Sequence, residues 1–250
     1  MRRFFITLSY NGKNYCGWQI QPNAISVQQT LQESLSTIVR KKIDVVGAGR
    51  TDSGVHARNM VAHFDWGNDT LNTQDLVVRL NRFLPKDIAI QSIKEVVPDA
   101  HARFDAISRT YSYCITSQKD SFYHEYKHHV FFTPDIELMN RLCSILLETD
   151  DFTSFSKLHT DVKTNICKVS QAHWEKTNNG EYLFTIQADR FLRNMVRSIV
   201  GTLLLAGRGK LDEEDFRQII AAKDRGAAGE SAPGNALFLE KVEYPEEIWI

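Results

Sequence analysis

The order of its predicted elements indicates that this chain is an α/β protein made of two βαββαβ, ferredoxin-like halves whose mixed or antiparallel sheets flank a central cleft. Two observations support this fold class. Runs rich in β-branched and aromatic residues alternate with segments of helical periodicity, and the order strand, helix, strand, strand, helix, strand occurs twice. We therefore expect an N-terminal half at 1–105 and a C-terminal half at 106–250.

The first half begins with a predicted strand at 3–10, which ends at the turn signal Asn11-Gly12. Ser26 and Gln29 have the spacing of a capping box and predict a helix that ends near the basic residues 40–42. The other predicted elements of this half are strands at 43–47, 60–66 and 87–97 and a helix at 73–84, which Pro85 stops.

The second half repeats this order without a visible repeat of the sequence. Alternating aromatic residues predict a strand at 108–116, and Asp135 is the expected N-cap of a helix that ends at 148. The other predicted elements are strands at 165–176, 181–188 and 236–244 and helices at about 190–206 and 212–224.

The helix predicted at 190–206 carries apolar residues on one side and arginines on the other. On a helical wheel, Arg190, Arg193 and Arg197 lie nearly opposite the apolar side chains. The pattern has two interpretations. It is either a solvated basic face on a packed helix or a face that looks into a cleft holding an anion.

The composition is that of an ordinary globular chain, with 250 residues, 42% hydrophobic and 24% charged. No run approaches the roughly 18 apolar residues of a membrane span, so we expect a cytoplasmic protein. The four cysteines are far apart and include no CxxC pair, which favours neither a zinc site nor a disulfide framework.

The net charge of -1 does not by itself indicate a nucleic-acid-binding protein. The charge is unevenly distributed, however. Residues 1–60 contain eight Lys and Arg against three acidic residues, whereas an acidic run follows at 212–215. The basic excess therefore lies in the first part of the chain.

The stretch 43–58, IDVVGAGRTDSGVHAR, has the composition of a functional loop. An apolar run leads into a glycine-rich turn, and Arg50, Asp52 and His56 follow closely. Glycines at the end of a strand allow a sharp turn or a close ligand approach, and loops on rigid scaffolds carry most functional residues. Asp52 is therefore the candidate catalytic residue.

Other chemistries fit this chain less well. Asp-Ser-Gly at 52–54 occurs in aspartic proteases, but those enzymes need two such triplets and only one is present. A dinucleotide-binding GxGxxG loop would need glycine at position 52. A third possibility is a metal site. The cluster of His124, Glu125, His128 and His129 has no second group of ligands, so we interpret it as surface residues and expect no metal.

An aspartate with arginines and aromatic residues suits nucleophilic or base chemistry on an anionic ligand that has a flat group. A nearby guanidinium would keep Asp52 ionised at neutral pH. Tyr111 and Tyr113 are candidates to stack on a base, or else residues of the sheet core.

The string GAGRTDSGVHA at 47–57 resembles the motif GxGRTDxGVHA of the tRNA pseudouridine synthase A (TruA) family. Other segments resemble the family in the same order, from near one terminus to near the other. They include LNRFLP (80–85), HARFDA (101–106), RTYSY (109–113), DFTSF (151–155), FLRNMVRSIVG (191–201) and Ala-Pro (232–233). The resemblance therefore covers essentially the whole chain.

This resemblance implies a pseudouridine synthase fold and an isomerase that converts uridine to pseudouridine in the anticodon stem-loop of tRNA, at positions 38, 39 and 40. It implies that Asp52 is catalytic, whether by attack on C1′, by addition to the ring or by abstraction of a ribose proton. It implies that Tyr111 stacks on the target base and that Arg50 helps to displace it. Arg197 resembles the arginine that pairs with the aspartate.

The resemblance also implies a homodimer that holds one tRNA across both subunits, with no cofactor and no metal. Ser53 stands where the family commonly has alanine, and Ala236-Leu237 where it has Gly-Leu. These departures leave open a paralogue with a narrower RNA target. The alternative from another class is a tRNA-binding or folding-helper protein with weak or lost activity.

Overall fold

A computed structural model describes residues 1–157, 164–177 and 179–250 of the chain. Within these ranges the major strands and helices occur in the predicted order. Internal contacts group the chain into two compact units, Met1–Ile107 with Leu239–Ile250, and Ser108–Phe238. The predicted α/β class is confirmed.

The sheet of the first unit is built around strand β1 (Arg2–Tyr10). β1 pairs antiparallel with β3 (His56–Trp66) on one side and with β4 (Ile88–Val96) on the other. The short strand β2 (Val45–Gly47) pairs antiparallel with β3 and completes the order β4-β1-β3-β2. The first and third strands are neighbours in this order, as the split βαβ arrangement of a ferredoxin-like half requires.

Two helices belong to this unit, α1 (Val27–Val39) and α2 (Thr73–Phe83). The Ser26 hydroxyl caps α1 by accepting from the Gln29 N–H at 3.2 Å. The Gln29 side chain donates instead to Glu33, one turn further along. The cap is therefore confirmed, but the predicted reciprocal bond of a capping box, from the Ser26 N–H to the Gln29 side chain, is wrong, since only the serine half is present.

The core of the first unit lies on the apolar face of β1. Phe4, Ile6 and Leu8 are almost completely buried, and the Phe4 ring stacks on that of Phe64 with centroids 5.7 Å apart. Leu31 of α1 and Leu80 of α2 are also fully buried. These buried side chains fix the register of β1, the strand that leads to the candidate site.

The sheet of the second unit has β5 (Ser108–Thr116) and β7 (Val169–Lys176) on either side of β8 (Tyr182–Ala188), all antiparallel. A two-residue strand, β6 (His128–His129), pairs parallel with the end of β5 and was not expected from the sequence. The helices of this unit are α3 (Ile136–Glu148), α4 (Met195–Gly207) and α5 (Glu213–Ala222).

Helix α4 begins five residues later than predicted. Asn194 has φ +67° and ends the preceding turn, while the Asp189 carboxylate accepts from the N–H groups of Lys168 and Arg190. Residues 189 and 190 are therefore held against the chain before β7. Arg190 and Arg193 precede the helix, so the predicted helical face of three arginines is wrong.

The last strand, β9 (Leu237–Glu243), pairs with β3. The side chain of Asn59 in β3 donates to the Glu240 carbonyl at 2.8 Å. The sequence-based division places all of 106–250 in the second half, whereas residues 239–250 pack with the first unit. Among the described residues, no helix has both the length and the apolar character to cross a membrane.

Candidate active site

Asp52 lies in the loop that joins β2 to β3 within the first unit. The loop starts close to the sheet, since the Ala48 N–H donates to the Val61 carbonyl of β3 at 2.8 Å. Strand β3 begins at His56, four residues earlier than predicted. Asp52 is thus separated from two paired strands by only a few residues on each side, which restricts where its side chain can be.

The segment 10–18, which we call the clasp, holds this loop through backbone and side-chain hydrogen bonds. The Trp18 N–H donates to the Thr51 carbonyl at 3.3 Å, and the Gly54 N–H donates to the Tyr15 carbonyl at 3.4 Å. Thr51 is buried, and its hydroxyl bonds the Tyr10 hydroxyl at 2.9 Å. The clasp therefore grips the chain on both sides of Asp52.

Gly17 allows the clasp to approach so closely. It has φ +81°, and a Cβ at this position would overlap the Thr51 carbonyl oxygen. A side chain would therefore be strained by the backbone conformation and would also push the loop away. Glycine at 17 is required by the position of the residue just before Asp52.

His56 supports the loop from within the sheet. It is buried, and its Nδ1 accepts a hydrogen bond from the Gly12 N–H at 3.0 Å. An accepting Nδ1 places the ring proton on Nε2. The histidine of the motif therefore contributes to the architecture around Asp52 by fixing the start of the clasp.

Tyr15 and Asp87 form a second anchor that the sequence did not reveal. The Tyr15 hydroxyl donates to the Asp87 carboxylate at 2.7 Å. Burial first, and then this bond, raises the pKa of the Tyr15 hydroxyl, which stays neutral and keeps donating. The two residues are 72 positions apart, so no local pattern could have paired them.

Asp52 and Arg50 differ in their exposure. Asp52 is half-buried in the loop, whereas the Arg50 side chain is exposed and has no hydrogen bond or ion pair within the described part of the chain. Arg50 is available to an external anion, and a half-buried carboxylate is positioned yet reachable. These two predicted site residues share one loop of the first unit.

Tyr111 and Tyr113 on β5 have different environments. Tyr113 is fully buried, its hydroxyl donates to the Pro233 carbonyl at 3.0 Å, and burial raises its pKa. Tyr111 is partly exposed, and its ring meets the Phe191 ring edge-on with centroids 5.2 Å apart. Tyr113 is therefore a core residue, while Tyr111 keeps a ring that a base can reach.

Arg197 lies in the first turn of α4 and is bound to a segment that follows α5. Its Nε donates to the Ala232 carbonyl at 2.7 Å, and the Ala232 N–H donates to the Arg197 carbonyl at 2.9 Å. We call residues 229–233 the strap. Because Nε is used by the strap, the guanidinium can turn only its Nη groups toward a further partner.

The strap also bonds α4 at Thr202, bonds Asn194 just before the helix, and reaches β5. The Gly229 N–H donates to the Thr202 hydroxyl at 3.0 Å, and the Asn194 amide donates to the Ser231 hydroxyl at 2.6 Å. The adjacent carbonyls of Ala232 and Pro233 accept from Arg197 and Tyr113. Within the second unit, the strap therefore links the helix of Arg197 to the strand of Tyr111.

The histidines considered as metal ligands lie in and before β6. Among the residues that the structure describes, no group of three or more His, Cys, Asp or Glu side chains is arranged to hold a metal ion. Lys127 of the same segment forms ion pairs with Asp120 and Glu181. The segment therefore has an architectural network of its own.

Comparison with known proteins shows the family to which the chain is related. A family model described as tRNA pseudouridine synthase matches residues 6–105 and 143–245. A protein of Bacteroides thetaiotaomicron named tRNA pseudouridine synthase A is 57% identical over all of this chain and 93% of its own length. Proteins of the same name from Porphyromonas gingivalis and Colwellia psychrerythraea are 56% and 38% identical, over 100% and 94% of their lengths.

Proposed function

Since the chain belongs to the tRNA pseudouridine synthase family and is an isomerase that forms pseudouridine in tRNA, we propose that it modifies uridines 38, 39 and 40 of the anticodon stem-loop. The observation that carries the proposal is the clasped loop of Asp52, which positions one half-buried carboxylate beside an exposed arginine. The similarity to relatives named tRNA pseudouridine synthase A extends over the whole chain.

The reaction exchanges one bond of the ribose for another. The N1–C1′ bond breaks, the base turns, and C5 bonds to C1′, while C5 loses a proton and N1 gains one. Uridine and pseudouridine contain the same atoms, so the step needs no oxidant, reductant or external group. Asp52 is proposed to act on the ribose or on the ring in its ionised form, in which a carboxylate is nucleophilic or basic.

Arg50 and Tyr111 are proposed to hold the displaced base. A uridine inside a stem cannot reach Asp52 without leaving the stack, which costs a few kcal/mol. The exposed guanidinium of Arg50 can occupy the vacated position, and the partly exposed ring of Tyr111 can stack on the base. Their exposure supports these roles, since a buried group such as Tyr113 could serve neither.

Arg197 is proposed to pair with Asp52 and keep it ionised. A guanidinium near a carboxylate favours the charged form. The strap supports this role because it fixes Nε and so restricts the direction in which the Nη groups point.

We further propose that the enzyme works as a cytoplasmic homodimer that holds one tRNA across both subunits. The eight basic against three acidic residues in 1–60 provide positive charge for phosphate contacts. All four cysteines are free, and two of them are buried, as expected in a reducing compartment. A log affinity for tRNA that did not change with log salt would contradict these phosphate contacts.

The test is release of tritium from C5 of uridine-labelled tRNA. Wild type should release it and Asp52→Asn should not, while Ser53→Ala, which removes only a 3.3 Å bond to the Tyr15 carbonyl, should match wild type. Single U→C changes at 38, 39 and 40 would identify the positions used. Release that survived in Asp52→Asn would remove Asp52 from the chemistry. Binding of tRNA without release by wild type would favour a tRNA-binding protein that has lost activity.

A further inference from the structure

The His-Ala-Arg-Phe segment at 101–104 has no role in the proposed chemistry, yet the first unit holds it firmly. Arg3 donates to the Ala100 carbonyl at 2.8 Å while its other nitrogens bond Asp65. The loop is therefore anchored where it leaves β4.

Buried groups also fix the middle of the loop. His63 is only 5% exposed, and its Nδ1 accepts from the Ala102 N–H at 3.1 Å. The Tyr244 hydroxyl donates to the Ala102 carbonyl at 2.6 Å. The N–H and the carbonyl of this fully buried alanine thus both have hydrogen-bond partners in the first unit, which leaves the next residues little freedom.

His101 and Asp105 close the loop into a tight turn. The His101 Nδ1 accepts from the N–H groups of Arg103 and Phe104, at 3.1 and 3.4 Å. The Asp105 carboxylate accepts from the His101 N–H at 2.7 Å. Despite this network, the Phe104 side chain is 73% exposed. The structure therefore holds a large apolar ring in water in one orientation.

A second exposed aromatic residue is joined to Phe104 by a continuous row of rings. Phe104 contacts the ring of His101, with centroids 4.2 Å apart, and His101 contacts His63 at 4.6 Å. Phe5 lies against His63 at 6.3 Å and against Trp249 at 5.7 Å. Trp249 is 40% exposed. The row of rings therefore has an accessible ring at each of its two ends, Phe104 and Trp249.

Each of the two exposed rings carries a cation. The Arg103 guanidinium lies 5.7 Å from the centroid of Phe104, and the Lys94 ammonium lies 5.6 Å from that of Trp249. Of the nearby carboxylates, those of Asp65 and Glu95 form ion pairs with Arg3 and Arg2, and that of Asp105 accepts from the His101 N–H. Flat rings interleaved with cations match a nucleic acid strand, whose bases stack while its phosphates attract positive charge.

This surface is far from Asp52. The loop at 100–105 is anchored near Arg3 at one end of β1, and the clasp starts at Tyr10 at the other end. Arg3 and Tyr10 are seven residue steps apart along the strand, which corresponds to roughly 23 Å. A ligand that contacts both must be extended, as a structured RNA is and a nucleotide is not.

We propose that Lys94, Arg103, Phe104 and Trp249 form a second RNA-binding surface, on which unpaired bases of the tRNA stack while the two cations contact its phosphates. The proposal rests on the proposed function, because it takes tRNA as the ligand. It adds a contact with the RNA away from Asp52, which would hold the body of the RNA in place.

The test compares tRNA affinity among variants of Phe104. Phe104→Leu keeps an apolar side chain but removes the π face, and it should raise the Kd by about 5- to 150-fold, as expected for loss of one stacked base. Phe104→Tyr should stay close to wild type. Phe131→Ala removes a ring that is 91% exposed in the second unit and should leave the affinity unchanged. Arg103→Gln should lower the salt dependence by about one phosphate contact.

A direct readout comes from Phe104→Trp, whose added fluorescence should be quenched when tRNA binds. Equal Kd values for wild type and Phe104→Leu, or no additional quenching, would overturn the proposal. A fall in sedimentation mass for Phe104→Leu would overturn it in favour of a protein interface. If wild type bound tRNA but released no tritium, the proposed function would be wrong, whereas the proposed RNA-binding surface would not be contradicted.

Discussion

Arg197 and Ala232 are joined by two hydrogen bonds, one from the Arg197 side chain and one to the Arg197 main chain. Nε donates to the Ala232 carbonyl at 2.7 Å, and the Ala232 N–H donates back to the Arg197 carbonyl at 2.9 Å. The direction of the guanidinium therefore depends on where the strap lies. Gly201 of α4 sets that position, because a Cβ there would overlap the Glu230 carbonyl oxygen.

We expect Gly201→Ala to lower the turnover number by about 10- to 100-fold, since a displacement of about 1 Å in a positioning group can cost that much. Helix propensity alone predicts that Gly201→Ala stabilises the folded protein, because alanine is favoured over glycine in a helix interior by about 1 kcal/mol. Gly67→Ala is the control, since its Cβ would meet nothing closer than 3.9 Å. Tritium release at saturating tRNA and a thermal melt distinguish the two effects. Wild-type turnover in Gly201→Ala would show that the strap does not position Arg197.

Gly17→Ala should displace the loop of Asp52. Gly17 and Gly180 both have positive φ, but only at Gly17 would a Cβ meet another group within 4 Å. Gly180→Ala therefore measures the conformational cost alone, about 1–2 kcal/mol. We expect a larger loss of unfolding free energy in Gly17→Ala, together with a loss of tritium release that Gly180→Ala does not show. Equal losses of unfolding free energy and of tritium release in both variants would mean that the loop can shift to make room for a side chain at position 17.

Tyr111 and Tyr113 should respond differently to loss of their polar or aromatic groups. Tyr113→Phe leaves the Pro233 carbonyl without its hydroxyl donor and should cost about 1–2 kcal/mol in urea denaturation. Tyr111→Leu should cost less stability because the ring is partly exposed, but should reduce tritium release sharply. Full turnover in Tyr111→Leu would exclude a stacking role for that residue.

The stability of the protein should depend on pH through His63. Burial first, and then Arg3 and His101, lowers the pKa of His63 to about 4 from 6.5. Between these values the unfolded chain binds the proton and the folded chain does not. Folding free energy is therefore lost as pH falls from about 6.5 to about 4, by about 3 kcal/mol in total.

The variant His63→Gln does not titrate and retains an oxygen to accept from the Ala102 N–H. Urea denaturation at several pH values should give a shallower slope for this variant than for wild type in that window. The acidic residues titrate in both proteins, so the difference between the two slopes isolates His63. Identical slopes would mean that the pKa of His63 is the same in the folded and the unfolded protein.

The sequence predicted those features that depend on neighbouring residues. Alternation and caps located β1, α1 and α3, and the string around Asp52 was correctly placed between two strands. These features follow from local periodicity and from hydrogen bonds between residues a few positions apart.

The missed features depend on residues that are distant in sequence. The start of α4 is set by Asn194 and by the bonds of Asp189 to the chain before β7, so the wheel that grouped Arg190 with Arg197 had no physical basis. Gly47 ends the strand predicted at 43–47, but the reason for a glycine there is a distant one, since a Cβ would overlap the Trp18 indole. Neither contact leaves a mark in a local window of sequence.

The clasp has a consequence for how this protein can change over time. Two of the bonds that hold the loop of Asp52, from Trp18 and to Tyr15, join main-chain atoms, which every residue type other than proline supplies. We therefore expect that an exposed side chain of the loop, such as that of Ser53, can be exchanged without moving the carboxylate. The geometry is instead sensitive to a few positions at which no side chain fits, so a lineage can vary its RNA contacts while it keeps its chemistry.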